Sequence, residues 1–280
     1  GKNSSILGAT ASYANAGVVD SKGLEFGANY IKSLGKVRFN FGGTFTLTKN
    51  KIVEQLEEPK AYEYLRATGK AVGQIFGYQA VGFFVDQSDI DDSPSQQFGV
   101  VKPGDIKYKD QNNDNVINEF DQIPLGYNSS VPEIYYSFNL GAEWKGLGFD
   151  AMFQGTGRYS AVLNTKSLYW PLINNTTISQ EYYDNRWTPE NQDAKYPRLT
   201  KYNNNNNMQS STYWLRNAAF LKLKNAEVGY NFKWGRVYMS GTNLLTFSPF
   251  KLWDPEMGGG KGMAYPTQRT FNLGVQITFK

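Results

Sequence analysis

Val37-Arg38-Phe39-Asn40-Phe41-Gly42-Gly43-Thr44-Phe45-Thr46-Leu47-Thr48 alternates without a slip. Its odd positions are Val37, Phe39, Phe41, Gly43, Phe45 and Leu47, and its even ones are Arg38, Asn40, Gly42, Thr44, Thr46 and Thr48. Successive side chains of an extended chain point to opposite faces, so this period of two predicts a strand with one apolar and one polar face. The same parity runs through Leu24 to Tyr30, Ile134 to Trp144 and, near the end of the chain, Phe271 to Phe279. Three less regular stretches also read as strands: Phe149 to Gly155, Ala219 to Phe232 and Arg236 to Thr246. In the second of these the apolar phase moves from Leu221 and Leu223 to Ala226, Val228, Tyr230 and Phe232. A one-residue slip would turn the strand inside out, so a bulge is expected near Lys224 or Asn225.

Connection lengths separate the architectures that could use such strands. Lys32 to Lys36, Lys145 to Gly148 and Lys233 to Gly235 are tight turns, whereas Lys49 to Glu133, Thr156 to Ala218 and Phe247 to Arg269 are long, mostly polar segments. Short and long strictly alternate. In an antiparallel meander all short turns then lie on one side and all long loops on the other, the asymmetry of outer-membrane barrels with periplasmic turns and extracellular loops. The final strand runs toward the short-turn side. Strands of about 9 to 11 tilted residues suffice to cross a bilayer. Trp144, Trp234, Tyr230 and Phe232 sit beside the short turns, where an interfacial aromatic girdle belongs. A soluble β-sandwich would use the same aromatics as core. The expected fold is therefore all-β, a set of antiparallel transmembrane strands. About seven are visible, too few to close a barrel, since natural ones begin at about 8.

Composition narrows the chemistry. The 280 residues include 19 Tyr, 18 Phe, 6 Trp and 28 Gly, which suits twisted sheets with tight turns. Mean hydropathy is −0.53 and no apolar run approaches the roughly 18 residues of a spanning helix. With no His, triads, imidazole zinc sites and a ready acid/base group near neutrality are all missing; with no Cys, so is thiol chemistry. Nothing here points to an enzyme. A net charge of +4 with scattered Lys and Arg argues against nucleic acid as a partner. Gly1-Lys2-Asn3-Ser4-Ser5 carries no signal peptide, although an outer-membrane protein must be exported, so the expectation is a piece of a longer chain.

A series of motifs runs along the chain. The first are Ser21-Lys22-Gly23-Leu24-Glu25, Ile75-Phe76-Gly77-Tyr78 with Gly82-Phe83-Phe84, and Pro103-Gly104-Asp105-Ile106-Lys107-Tyr108-Lys109-Asp110. Phe153-Gln154-Gly155, Arg186-Trp187-Thr188-Pro189-Glu190-Asn191 and Tyr196-Pro197-Arg198-Leu199 follow. The last are Phe220 to Asn225, Gly241-Thr242-Asn243-Leu244-Leu245 and Asp254-Pro255-Glu256. In this order they resemble the motifs of the C-terminal barrel of SusC/RagA-type TonB-dependent transporters, and together they span nearly the whole chain, residues 1 to 280 then being one portion of a barrel. The resemblance implies about 22 strands in all, an N-terminal plug, TonB as energy partner, a SusD-like surface lipoprotein over the mouth, and import of oligosaccharides or peptides across the outer membrane of a Gram-negative bacterium. The remaining strands, the plug and the lipid bilayer would be its immediate neighbours. Ser21 stands where the family usually has Asn. Phe279-Lys280 places an aromatic residue next to last, where such barrels often carry an insertion signal. A non-transporting scaffold that docks surface lipoproteins or assembly factors is the alternative reading.

One loop has readable chemistry. Asp110-Gln111-Asn112-Asn113-Asp114-Asn115-Val116-Ile117-Asn118-Glu119-Phe120-Asp121 puts oxygen ligands at positions 1, 3, 5, 9 and 12 of a calcium loop: Asp110, Asn112, Asp114, Asn118 and Asp121, with the carbonyl of Val116 at position 7. Asn115 occupies the usual glycine position and tolerates a left-handed backbone. The expectation is a structural Ca2+ pinning a long extracellular loop; a solvated Asn/Asp-rich turn is the competing one. Trp170, Tyr182, Tyr183 and Trp187 could stack on sugars or peptide side chains, or pack the loop against the barrel rim. Glu57, Glu58, Asp91 and Asp92 read as solvated charge, Gly258 to Gly262 as a surface loop without the context of a phosphate site, and Asn203 to Asn207 as a low-complexity polar loop.

Overall fold

The computed structural model describes residues 17–258 and 264–279. Residues 1–16, most of the glycine-rich stretch and Lys280 lie outside the described residues.

Strand β1 (Gly17–Leu34) and strand β2 (Val37–Gln55) form the first hairpin. The first long connection holds β3 (Ile75–Gly77), β4 (Ala80–Phe83), β5 (Ser95–Gln96), β6 (Ile106–Tyr108), β7 (Val116–Ile117) and β8 (Ile123–Leu125). β9 (Ile134–Trp144) and β10 (Leu147–Gly157) make the second hairpin, and β11 (Ser160–Val162) and β12 (Leu215–Asn217) lie in the second long connection. β13 (Phe220–Phe232) and β14 (Gly235–Phe247) make the third hairpin, and β15 (Thr270–Ile277) ends the chain. β1, β2, β9, β10, β13, β14 and β15 form one antiparallel seven-stranded sheet in that order. All three hairpins turn in two residues, Lys145-Gly146 through positive φ values of 48° and 90°. That is the primed-turn geometry matching strand twist.

Register carries the alternation of Val37 to Thr48 across the whole sheet. Phe41 pairs with Tyr30 on one side and Leu140 on the other; Leu140 faces Ala151, Ala151 faces Ala226, and Ala226 faces Gly241. The result is a continuous apolar face that the protein does not cover: Phe26, Phe41, Leu140, Phe149, Val228 and Met239 are all exposed. An apolar face left open in this way is a surface for lipid or for a further protein wall, and it matches the outward apolar band of a membrane barrel. Trp144, Tyr230, Phe232 and Trp234 are also exposed, beside the short turns. The expected bulge is present, with the β13–β14 register shifting between Leu223 and Asn225.

On the opposite face, side chains lie across neighbouring glycines. A Cβ on Gly42 would collide with the side-chain oxygens of Asn29 and Asn139, and one on Gly141 with those of Asn40 and Asp150.

The buried core is not in this wall. It sits in the long connections, where Tyr78, Ile106, Tyr108, Ile117, Leu163, Leu168, Tyr182, Tyr196, Trp214 and Phe250 pack together. The segments read as mostly polar loops thus form a folded unit of short paired strands and single-turn helices, because aromatic residues scattered through them converge in space. Its weight falls on the polar face: Thr156, Phe220 and Lys222 are buried at the loop end of that face, while Leu245 and Phe247 remain exposed on the apolar one.

Candidate functional site

The loop unit is held by a buried polar network that joins the first long connection to the second. Asp105, fully buried, lies just after the turn at Pro103-Gly104. Its Oδ1 accepts from Asn204 Nδ2 (2.8 Å) and Asn207 Nδ2 (2.9 Å), and its Oδ2 accepts from the Lys102 N–H (2.8 Å) and Arg198 Nη2 (3.1 Å). Arg198 Nε is 2.7 Å from Oδ1, but its N–H is not aimed at an acceptor, so that contact is ionic. Gln96 Nε2 donates to Asn206 Oδ1 (2.5 Å), Asn206 Nδ2 to the Ile106 carbonyl (2.8 Å), and the Ile106 N–H to Asn207 Oδ1 (2.9 Å). The asparagine run is therefore no solvated low-complexity loop. Asn204, Asn206 and Asn207 are buried because each amide satisfies polar groups that the core would otherwise strand.

The third connection is tied down by ions. Lys222 Nζ, with its side chain wholly buried, bonds Asp254 (2.5 Å) and Glu256 (2.7 Å), and Lys224 bonds Glu256 (2.9 Å). Burial pushes the Asp254 and Glu256 carboxyls up, but the lysine ammoniums outweigh it and both end below the usual range.

Glu57 is not simply solvated either. It accepts from the N–H groups of Ala67 (2.7 Å) and Thr68 (2.9 Å) and from the Thr68 hydroxyl (2.7 Å). The Ala67 N–H first, then Thr68, hold its carboxyl down to about 2.

The Asp110–Asp121 loop closes on itself. Asp110 accepts from the N–H groups of Asn113 (2.7 Å) and Asn115 (2.8 Å), and Asp114 from that of Val116 (2.8 Å). Buried Asp121 accepts from Gln111 (2.7 Å) and Asn118 (2.9 Å), completing a capping box with Asn118. Asn115 has φ 64° and Asn113 φ 61°. Asp110, Asn112, Asp114 and Asp121 thus surround one turn. Among the described residues no three His, Cys, Asp or Glu side chains converge to hold a metal ion, so a cation here would need amide and carbonyl oxygens beside the carboxylates.

The four aromatic residues divide. Tyr182 is 2% exposed, stacks on Tyr196 at 4.7 Å and donates its hydroxyl to the Pro197 carbonyl; Trp187 is 8% exposed. Both are core, which leaves them no ring face for a ligand. Tyr183 is exposed under the Arg186 guanidinium at 4.0 Å, and Trp170 is half-buried with an unpartnered Nε1.

No protein-family model matches the chain. It is 29% identical over 302 residues to TonB-dependent receptor P26 of Formosa agariphila, covering 95% of this chain and 30% of that protein. It is 24% identical over 287 residues to TonB-dependent receptor SusC of Bacteroides thetaiotaomicron, covering 95% and 27%. Its fold superposes on the RagAB peptide transporter with a TM-score of 0.74 at 21% identity, covering 99% of this chain and 31% of the other. The chain is thus similar over nearly its whole length to TonB-dependent receptors, and its wall shares the fold of the RagAB transporter. The chain spans about 30% of the length of the curated TonB-dependent receptors it matches. Receptors of this type are outer-membrane β-barrels. Among the described residues no helix is long and apolar enough to cross a membrane, which says nothing of crossing by strands.

Sequence reasoning missed Asp105, Arg198 and the asparagine run as one site, although Pro103-Gly104-Asp105 and Tyr196-Pro197-Arg198 both stood out as motifs.

Proposed function

We propose that this chain is the C-terminal portion of the barrel of a TonB-dependent transporter in the outer membrane of a Gram-negative bacterium, importing oligosaccharides or peptides beneath a SusD-like lipoprotein lid. The observation that carries the reading is a lipid-compatible outer face backed by a hydrogen-bonding inner face and roofed by folded loops. A wall of that kind shields a polar path from lipid. The loops supply a firm rim for a lid, since their core is anchored by Asp105 and Lys222. TonB would act through segments upstream, including a plug. The test is uptake of labelled oligosaccharides and peptides by cells carrying the whole receptor. Loss of uptake on deletion of TonB is expected; uptake that persists at the wild-type rate refutes the reading.

We also propose Ca2+ as the ligand of the Asp110–Asp121 turn. Each carboxylate oxygen of Asp110 and Asp121 accepts one backbone N–H and keeps a second lone pair, and Asn115 adopts the left-handed backbone that such a loop needs at its sixth position.

A further inference from the structure

The inner face is divided into two zones of different chemistry. Toward the short turns it is ionic: Arg38 stands opposite Glu143, Arg236 pairs with Glu227, and Asn40 donates to Asp150 at 3.4 Å. Toward the loops the charges give way to hydroxyls and amides. Thr44 faces Ser137, with their hydroxyl oxygens 2.7 Å apart; Thr46 faces Tyr135; Ser137 faces Gln154; and Asn139 stands over Gly42. The lysines above this zone are already neutralised, Lys222 by Asp254 and Glu256, and Lys224 by Glu256.

Tyr135 is the odd member. Its parity puts it on the polar face, between Thr46 of β2 and Thr156 of β10, yet it is 43% exposed. The loop unit buries Thr156 on the adjacent strand β10 and Phe220 and Lys222 on β13 beyond it, and stops short of the tyrosine. An aromatic ring is thus left open on a polar wall, at the border of the roof. On the next strand, Glu25 lies in register with Thr46.

We propose that Tyr135, with Thr44, Thr46, Ser137, Asn139 and Gln154, forms a subsite for an uncharged saccharide, whose ring stacks on Tyr135 while its hydroxyls exchange hydrogen bonds with the flanking residues. A sugar ring offers an apolar C–H face and a rim of hydroxyls, which matches an aromatic platform in a ring of neutral donors and acceptors. A charged peptide would have to give up solvation of its ionised groups against a surface whose nearest charges are Glu25 and the Arg158–Glu133 pair, the latter already neutralised by each other at 3.3 Å. The subsite rests on the transport reading, since it requires the polar face to line the import path.

The test uses the full-length receptor in detergent and four neutral probes, maltohexaose, cellohexaose, xylohexaose and mannohexaose, beside a library of charged peptides. At least one hexasaccharide is expected to bind. Tyr135→Ala should weaken that binding about tenfold or more, as loss of a central aromatic contact does, while Tyr135→Phe should keep it within about threefold. Thr46→Val, which keeps the shape and removes one hydroxyl, should weaken it measurably and decides the matter if Tyr135→Ala fails to fold by its heat-modified gel mobility. Failure of all four saccharides to bind, or binding unchanged in the folded Ala variant, overturns the proposal. TonB-dependent uptake of peptides without saccharide binding overturns the subsite alone; absence of TonB-dependent uptake of either class overturns the transport reading beneath it.

Discussion

Replacing Asp105 by Asn tests the claim that the loops are one folded unit. The carboxylate receives four hydrogen bonds, two on each oxygen, and the ionic contact of Arg198 Nε. An asparagine amide must put its NH2 group at one of those oxygens. At Oδ1 it would face the Asn204 and Asn207 donors, and at Oδ2 the Lys102 N–H and Arg198, so either orientation sets donors against donors. Arg198 also loses its counter-ion. Breaking a buried ion pair from one side costs about 3 to 5 kcal/mol. Arg198 is 22% exposed and recovers some hydration, which favours the lower end, about 3 kcal/mol. That corresponds to about a hundredfold rise in local opening, since roughly 1.4 kcal/mol is a factor of ten. The assay is hydrogen exchange of the Ile106 and Asn207 amides in the full-length receptor, because their N–H groups are held by Asn207 Oδ1 and Asn204 Oδ1. Both should exchange about a hundredfold faster, with amides of β9 and β10 unchanged. Protection at these two amides within about threefold of wild type would refute the reasoning.

Lys222→Met leaves Asp254 and Glu256 facing each other with Lys224 alone to offset them, so the Met257 amide, bonded to the Asp254 carbonyl, should lose protection in hydrogen exchange. Glu57 has a folded pKa of about 2, below its ordinary 4.5. A lowered carboxyl stabilises above the unfolded value and loses that contribution as pH falls toward the folded one, so protection of the Ala67 and Thr68 amides should hold above pH 4.5 and decline between 4.5 and 2, intrinsic exchange being corrected for. If the Asp110–Asp121 turn binds calcium, Asp110→Ala with Asp114→Ala should abolish calcium-dependent protection of that loop from protease; undiminished protection would sink the assignment. Leu140→Arg, on the lipid face near mid-strand, should destabilise folding into vesicles by about 2 to 4 kcal/mol if it lies near the bilayer midplane, read by urea titration against Asn139→Arg on the inner face.

The wall was legible because membrane and lumen impose opposite demands on adjacent residues, which writes a period of two into Val37 to Leu47 and Ile134 to Trp144. Even the bulge beside Lys224 showed as a phase slip. Where that demand ends, the pattern ends: β2 runs on to Gln55, but beyond Thr48 no one-sided face disciplines the sequence, and Lys49 to Gln55 read as loop. The loop core escaped notice for a related reason. Its strands are two to four residues long, too short for a period, and its aromatics come from positions as distant as Tyr78 and Phe250. Asn203 to Asn207 looked like a polar low-complexity loop because nothing in an asparagine run announces the carboxylate of Asp105, about a hundred residues earlier, that it serves. Burial of Tyr182 and Trp187, and exposure of Tyr183, likewise depend on partners that only the fold supplies.

The glycines opposite the inner-face amides bear on the width of the bore. Because Asn29 and Asn139 lie down across Gly42, and Asn40 and Asp150 across Gly141, the wall is lined by side chains resting on backbone instead of standing into the channel. Such a tube is smooth where it is most polar. A methyl group at either glycine would lift two side chains at once, roughening the wall at that level, so on the proposed transport reading these positions would set clearance for a passing solute even though neither has a side chain to touch it with.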